Sequence, residues 1–246
     1  MIKLERIYTP IFLSPTEEAR LANEFKTTGD AVWKDKRITS ALLDLSNSKC
    51  AYCECDLSTE SKYMEVEHFA YKEKYPEKVA QWDNLLPSCK RCNTTKGQHD
   101  VVADPIVNPF EDFPCVHLEF FLYQIRPKTK VGEATETALN LNHHERLVLL
   151  RFKVGEQVQS FANEAIGRLE SFKEESTSLR RNKLLARVEG LLFECQPSKP
   201  YSATAATVLH SYKPYMKLRV DLQALGIWND ELESFHKASL AICLAA

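Results

Sequence analysis

Two pairs of cysteines with the spacing C-x-x-C constrain this chain more than any other feature. The first pair is Cys50 and Cys53, and the second is Cys89 and Cys92. A C-x-x-C turn brings two thiolates within bonding distance of one ion, and two such turns complete a closed tetrahedral site. The spacing therefore predicts a structural zinc site with four cysteine ligands. Cys55 is a spare thiol beside the first pair that could replace Cys53, although we favour Cys53 as the ligand.

The composition is that of a globular protein from a reducing compartment. The chain has 246 residues, is 44% hydrophobic and contains eight cysteines, which are too few for a small disulfide scaffold. It opens without a basic-then-apolar segment, and its apolar runs fall short of the roughly 18 to 20 residues that cross a bilayer. We therefore expect a cytoplasmic protein with no membrane span. The net charge of −2 gives no global argument for a nucleic-acid partner but allows a local basic surface.

Hydrophobic periodicity predicts helices on both sides of the cysteine-rich segment. A proline-rich connector and a strand-like run separate that segment from a second half in which apolar residues recur at spacings of three and four. The predicted elements are helices starting at Pro15 and over residues 31–45, a strand over 117–125, and helices over 142–173, 179–195 and 231–244.

These elements predict a mainly α chain of the α+β class with three parts. Residues 1–47 form an N-terminal helical segment, residues 48–110 form a central domain that holds the zinc, and residues 111–246 form a helical region.

Between the cysteine pairs, a short strand-like run ends in Glu67 and His68, and a later helix is predicted to start at Ser88. Adjacent residues on a helix lie about 100° apart, so Cys92 can bind zinc while Asn93 faces another side. The zinc would then fix the direction of Asn93. Neighbours in an extended strand point to opposite faces, so the strand should end or bulge at the Glu67-His68 pair if both residues serve one site.

The order of these motifs resembles the HNH endonucleases, which have a ββα-metal fold supported by a four-cysteine zinc. The matching features are the two C-x-x-C pairs, Glu67-His68, Trp82-x-Asn84-Leu85, Asn93 and Lys96-Gly97, within residues 48–100. A narrower set resembles the PtuB family of HNH subunits from Septu-type anti-phage systems, including those carried by retrons. This set comprises Trp33, the run from Cys50 to Glu54, Glu67-His68-Phe69 and Asn108-Pro109-Phe110.

The resemblance implies a role for each matched residue. His68 corresponds to the general base, a task that suits an imidazole near neutral pH. Glu67 and Asn93 correspond to the ligands of a single divalent cation, Mg²⁺ or Mn²⁺. Asn84 corresponds to the residue that holds the loop and orients the imidazole. Many relatives have histidine at the position of Asn93 and aspartate at that of Glu67, but both residues here still offer oxygen ligands.

The resemblance also implies partners. The substrate would be nucleic acid, with DNA favoured and RNA allowed because the chemistry needs no particular sugar. Lys90, Arg91 and Lys96 lie beside the predicted site, where they either meet phosphates or form a solvated helix face. An ABC-type ATPase resembling PtuA would dock on the helical region, in a complex that allows more than one copy of this chain.

Two functions from different classes follow. The first is a metal-dependent endonuclease that hydrolyses phosphodiester bonds, as the effector of an anti-phage complex. The alternative is a non-catalytic zinc module that binds a protein or nucleic acid and in which the HNH pattern has decayed. Retention of Glu67, His68, Asn84 and Asn93 together argues against decay, since binding alone needs none of them.

Overall fold

A computed structural model describes residues 1–58 and 64–244 of the chain. It divides into two compact units: Met1–Leu118 with Arg126–Leu141, and Glu119–Ile125 with Asn142–Ala246. This division differs from the three predicted parts, because the N-terminal helices share a unit with the cysteine-rich segment and residues 126–141 return to that unit. Within the described residues, none of the helices combines the length and the apolar character that a membrane span requires.

The described residues are mainly helical with a few short strands, which confirms the predicted α+β class. The first unit contains the helices α1 (Pro15–Thr28), α2 (Lys36–Ser46), α3 (Lys90–Lys96), α4 (Pro114–His117) and α5 (Lys130–Leu139), with the strands β1 (Met64–His68) and β2 (Leu85–Cys89). A hairpin of β3 (Leu118–Phe121) and β4 (Gln124–Pro127) lies where the chain leaves and re-enters this unit. The second unit contains α6 (Leu149–Glu174), α7 (Ser178–Glu194), α8 (Ser202–Ser211), α9 (Lys213–Ala224) and α10 (Asp230–Leu240).

Local capping sets the ends of the N-terminal helices. The Ser14 side chain accepts a hydrogen bond from the backbone N–H of Glu17 at the start of α1. The second predicted helix begins at Lys36 rather than at residue 31, because the side chain of Asp35 caps it. The residues just before it form a short 3₁₀ turn, Val32–Lys34, which carries Trp33.

The central element is a ββα unit. β1 and β2 pair antiparallel, with Met64 opposite Cys89 and His68 opposite Leu85. β2 is buried along its whole length and runs directly into α3. The N-cap of α3 is Cys89 rather than the predicted Ser88, since the Cys89 sulfur accepts the backbone N–H of Cys92 at 3.5 Å. β1 stays in regular register through Glu67, without a bulge, and ends at His68.

The second unit is a helical bundle with its own core. α6 begins later than predicted, after a π-helical turn over His144–Val148. α7 lies within one residue of its predicted bounds. α10 starts at Asp230 after the cap residue Asn229, but it ends at Leu240 rather than at the predicted residue 244. α8 and α9 were not predicted. The core is formed by apolar side chains from all five helices, including Ala162, Leu169, Leu184, Leu191, Leu209, Leu218 and Leu232.

Candidate active site

Four cysteine sulfurs meet in one buried cluster. The sulfurs of Cys50, Cys53, Cys89 and Cys92 all lie within 4.8 Å of one another. The 3.8 Å between the sulfurs of Cys53 and Cys89 equals the ligand–ligand edge of about 3.8 Å in a tetrahedron with Zn–S bonds of about 2.3 Å. Among the described cysteine, histidine and acidic side chains, these four cysteines lie close enough together to surround one ion. Four converging thiols fit zinc, and Cys55 lies outside the set.

Backbone hydrogen bonds hold the first cysteine pair against the second. The N–H of Cys50 donates to the carbonyl of Cys55, and the N–H of Glu54 donates back to that of Cys50, which closes the turn. The N–H of Ala51 donates to the carbonyl of Pro87 on β2 at 2.8 Å. The first turn is therefore attached to the strand that leads into Cys89.

The His68 side chain is buried at the end of β1, and its orientation is fixed on two sides. Its Nε2 lies 3.0 Å from the carbonyl oxygen of Val79. Because a carbonyl only accepts, Nε2 carries the hydrogen and Nδ1 is left as the acceptor. The Trp33 ring stands perpendicular to the imidazole, with 4.7 Å between ring centroids. Burial lowers the pKa of His68 to about 4, so the ring is uncharged at neutral pH.

Asn84 connects the segments on either side of this imidazole. Its Oδ1 accepts the backbone N–H of Ala70 at 2.7 Å, and its Nδ2 donates to the carbonyls of Ala70 and Lys78, both at 3.0 Å. Ala70 lies two residues after His68, and Lys78 immediately precedes Val79. Asn84 therefore connects the segment after His68 to the segment that carries the Val79 carbonyl.

Glu67 and Lys96 form a buried ion pair. Their side chains are 3% and 0% exposed, and the Lys96 Nζ lies 2.6 Å from a Glu67 carboxylate oxygen. Nζ also donates to the backbone carbonyl of His68 at 3.0 Å, and the Tyr52 hydroxyl donates to Glu67 at 3.4 Å. Burial raises the pKa of Glu67, while Lys96 and the Tyr52 hydroxyl act to lower it. The expected phosphate contact of Lys96 is not supported, because its ammonium is buried.

A second acid, which the sequence analysis missed, lies beside Asn93. The Nδ2 of Asn93 donates to the Glu65 carboxylate at 2.6 Å. Glu65 is two residues before Glu67 on β1, so both side chains lie on the strand face that α3 covers. The alternation of β1 is the sequence signal that could have identified it.

Glu65, Glu67, His68 and Asn93 line a cleft of about 520 Å³ in the first unit. Of the other expected nucleic-acid contacts, Lys90 is exposed on α3. Arg91 instead directs its guanidinium to the backbone carbonyls of Leu139 and Asn140 at the end of α5. The residues around the cleft include Trp33, Glu65, Glu67, His68, Lys72 and Asn93.

Comparison with known proteins decides the family. Residues 50–99 match the family model described as HNH endonuclease. The chain is 42% identical over 233 residues to the Septu protein PtuB of Bacillus thuringiensis, an alignment that covers 94% of this chain and 90% of that protein. The chain belongs to the PtuB family. A Septu protein PtuB from Bacillus mycoides (strain KBAB4) is 25% identical to this PtuB-family chain over 269 residues, covering 86% of this chain and 90% of the relative.

The family assignment confirms the HNH resemblance. This PtuB-family chain is a metal-dependent HNH endonuclease, a hydrolase that carries a four-cysteine metal-binding cluster.

Proposed function

We propose that this chain is the nuclease effector of an anti-phage complex and that it hydrolyses phosphodiester bonds of DNA with His68 as the general base. The observation that carries the proposal is the protonation and the orientation of the His68 imidazole. A neutral imidazole borders the cleft with Nε2 bound to a carbonyl and Nδ1 left to accept a proton.

The reaction follows from that arrangement. A water molecule loses a proton to Nδ1 of His68 as its oxygen attacks phosphorus, and the bond from phosphorus to the 3′ oxygen breaks. Val79 holds the Nε2 hydrogen and so keeps Nδ1 unprotonated before the reaction. Trp33 contacts the imidazole edge-to-face and restricts its rotation. Asn84 touches no substrate and acts by fixing the loop that carries Val79.

The oxygen donors around the cleft suit a hard divalent cation. Glu67 and Asn93 are the ligands that the HNH resemblance assigns, and carboxylate and amide oxygens are donors that Mg²⁺ and Mn²⁺ prefer. Such an ion, when bound, offsets the negative charge that develops on the phosphate and the leaving oxygen. Cys50, Cys53, Cys89 and Cys92 would hold a structural zinc that fixes the start of α3 and therefore the position of Asn93.

The name of the relatives, Septu protein PtuB, supports a defence role and a partner. We propose an ABC-type ATPase of the PtuA kind, docked on the helical region within residues 111–246, in the cytoplasm. The net charge of −2 supports this assignment. A chain without excess positive charge gains little binding free energy from attraction to phosphates, so a partner that binds nucleic acid would increase its affinity for the substrate. Lys90, exposed on α3, is the proposed phosphate contact of this chain.

The test uses the full, zinc-loaded chain with and without the ATPase. Supercoiled plasmid, single-stranded DNA and total RNA are each incubated with Mg²⁺, with Mn²⁺ or without divalent cation. We expect cation-dependent nicking of plasmid, enhanced by the ATPase. Cleavage of RNA alone would overturn the DNA assignment, and no cleavage of any substrate by the complex would favour the non-catalytic zinc module.

A further inference from the structure

The two glutamates of β1 are held in different ways by α3. Glu65 and Glu67 lie on the same face of the strand, and each meets one side chain of the helix. The Glu67 carboxylate binds the Lys96 ammonium, whereas the Glu65 carboxylate binds the Asn93 amide. Asn93 and Lys96 are three residues apart and are neighbours on the helix surface. Two contacts therefore connect β1 to α3. In one the helix supplies the charged Lys96, and in the other it supplies the neutral Asn93.

The negative charge of Glu67 is already balanced. Its partner Lys96 is fully buried, and the same ammonium binds the carbonyl of His68. A cation that took Glu67 from Lys96 would leave a buried ammonium without its counter-ion, which is strongly unfavourable. Glu67 is therefore a poor source of charge for a second cation.

Glu65 differs from Glu67 in its burial and in the absence of a cationic partner among the described residues. It borders the cleft with its side chain half-buried, and none of the described residues forms an ion pair with it. Its neighbour Asn93 donates through Nδ2, which leaves the Asn93 Oδ1 as a second oxygen donor. A carboxylate beside an amide oxygen, at the edge of an open cleft, is the chemistry that a hard divalent cation takes.

We propose that Glu65, together with Asn93, supplies the charged ligand for the divalent cation of the cleft. Glu67 is then a positioning residue that acts through Lys96 on the backbone of His68. The inference rests on the proposed function and reassigns the anionic ligand within the same site.

The experiment measures Mn²⁺ affinity directly. The zinc-loaded full chain is titrated with Mn²⁺, and the electron paramagnetic resonance signal of free Mn²⁺ reports the unbound ion. Glu65→Gln keeps the size and the hydrogen-bonding capacity of the side chain and removes its charge. We expect it to weaken Mn²⁺ binding about tenfold or more, and Glu65→Asp to retain more of the affinity than Glu65→Gln.

Two controls isolate the charge of Glu65. Glu77→Gln removes an exposed carboxylate outside the cleft and should leave Mn²⁺ affinity unchanged. The double variant Glu67→Gln/Lys96→Met removes both charges of the buried pair and avoids an unpaired ammonium. Circular dichroism checks its fold, and its Mn²⁺ affinity should stay within about threefold of the parent.

The outcomes separate this inference from the proposed function. If Glu65→Gln binds Mn²⁺ as tightly as the parent, or the folded double variant loses as much affinity as Glu65→Gln, the assignment of Glu65 is wrong. Plasmid nicking is measured on the same samples. A parent that binds Mn²⁺ through Glu65 but cleaves nothing would contradict the proposed function and leave the ligand assignment intact.

Discussion

At the scale of single residues, burial decides what each charged side chain in or next to the cleft does. Lys96 is fully buried and binds both Glu67 and the backbone of His68, so one cation connects α3 to the last two residues of β1. Glu65 is half-buried beside Asn93 and borders the open cleft. Two acids on one strand face thus have different chemical roles.

Replacing Lys96 tests the buried pair. Lys96→Met leaves the Glu67 carboxylate buried without a counter-ion, and we expect a loss of about 3–5 kcal/mol in the free energy of unfolding, measured by urea titration. Adding Glu67→Gln should recover part of this loss. Lys90→Met, at an exposed position of the same helix, should change stability by less than about 0.5 kcal/mol. A Lys96→Met variant as stable as the parent would refute the structural role of the pair.

Trp33 is predicted to act as a positioning residue for His68. Trp33→Ala removes the ring that stands 4.7 Å from the imidazole, and we expect kcat to fall about tenfold to a hundredfold with KM little changed, because the base is less well oriented. Trp33→Phe keeps an aromatic contact and should retain most activity. Steady-state kinetics on nicked plasmid separates the two parameters. A rise in KM at constant kcat would instead assign Trp33 to substrate binding.

Sequence patterns identify site residues whose partners are close along the chain, and they miss residues whose partners are far apart along it. The cysteine pairs and the Glu67-His68 pair are local patterns that can be read without a fold. Glu65 meets Asn93 across 28 positions, and the burial of Lys96 depends on the packing of α3 against β1. The Glu65–Asn93 contact and the burial of Lys96 therefore become apparent only once α3 is packed against β1 in the fold.

At the scale of elements, capping and close contacts determine where the chain turns. Caps at Ser14, Asp35 and Asn229 set the starts of α1, α2 and α10. Periodicity could not reveal α8, because Ser202–Leu209 is buried on all sides and has no polar stripe. An amphipathic pattern identifies helices at a surface, and a helix enclosed by its neighbours lacks one.

Gly132 shows how closely one element can approach another. A Cβ at this position would clash with the backbone oxygen of His117, so Gly132→Ala should lower the free energy of unfolding by about 1–3 kcal/mol. Gly167, inside α6, has open space around the same position. Gly167→Ala should stabilise by about 0.5–1 kcal/mol through helix propensity. Chemical denaturation compares the two, and equal effects of the same sign would contradict the predicted contact.

At the scale of the whole molecule, the chain consists of two units with different sources of stability. The second unit has a continuous apolar core from five helices. The first unit contains the cysteine cluster and two small apolar clusters, one with Ala22 and Val79 and one with Ala70 and Ile106. The predicted domain boundary at residue 111 differs from this division because residues 126–141 return to the first unit, and such a return has no composition signal.

Removal of zinc should therefore affect the units unequally. A bound structural zinc supplies on the order of 10 kcal/mol or more to folding, so chelation should expose the backbone of β1, β2 and α3 to hydrogen exchange. The helices α6–α10 should stay protected. Hydrogen-exchange mass spectrometry before and after chelation measures both effects. Unchanged protection of β2 and α3 in zinc-free protein would contradict a structural role for the metal.

Replacement of His68 tests the central claim most directly. Plasmid nicking by His68→Ala is compared with that by the parent and by His144→Ala, which changes an exposed histidine of the second unit; all three are matched for zinc content and Mn²⁺ affinity. If His68 is the general base, its removal should slow cleavage about 10²–10⁴-fold, whereas His144→Ala should cleave like the parent. A zinc-loaded His68→Ala variant that cleaves as fast as the parent would contradict the mechanism.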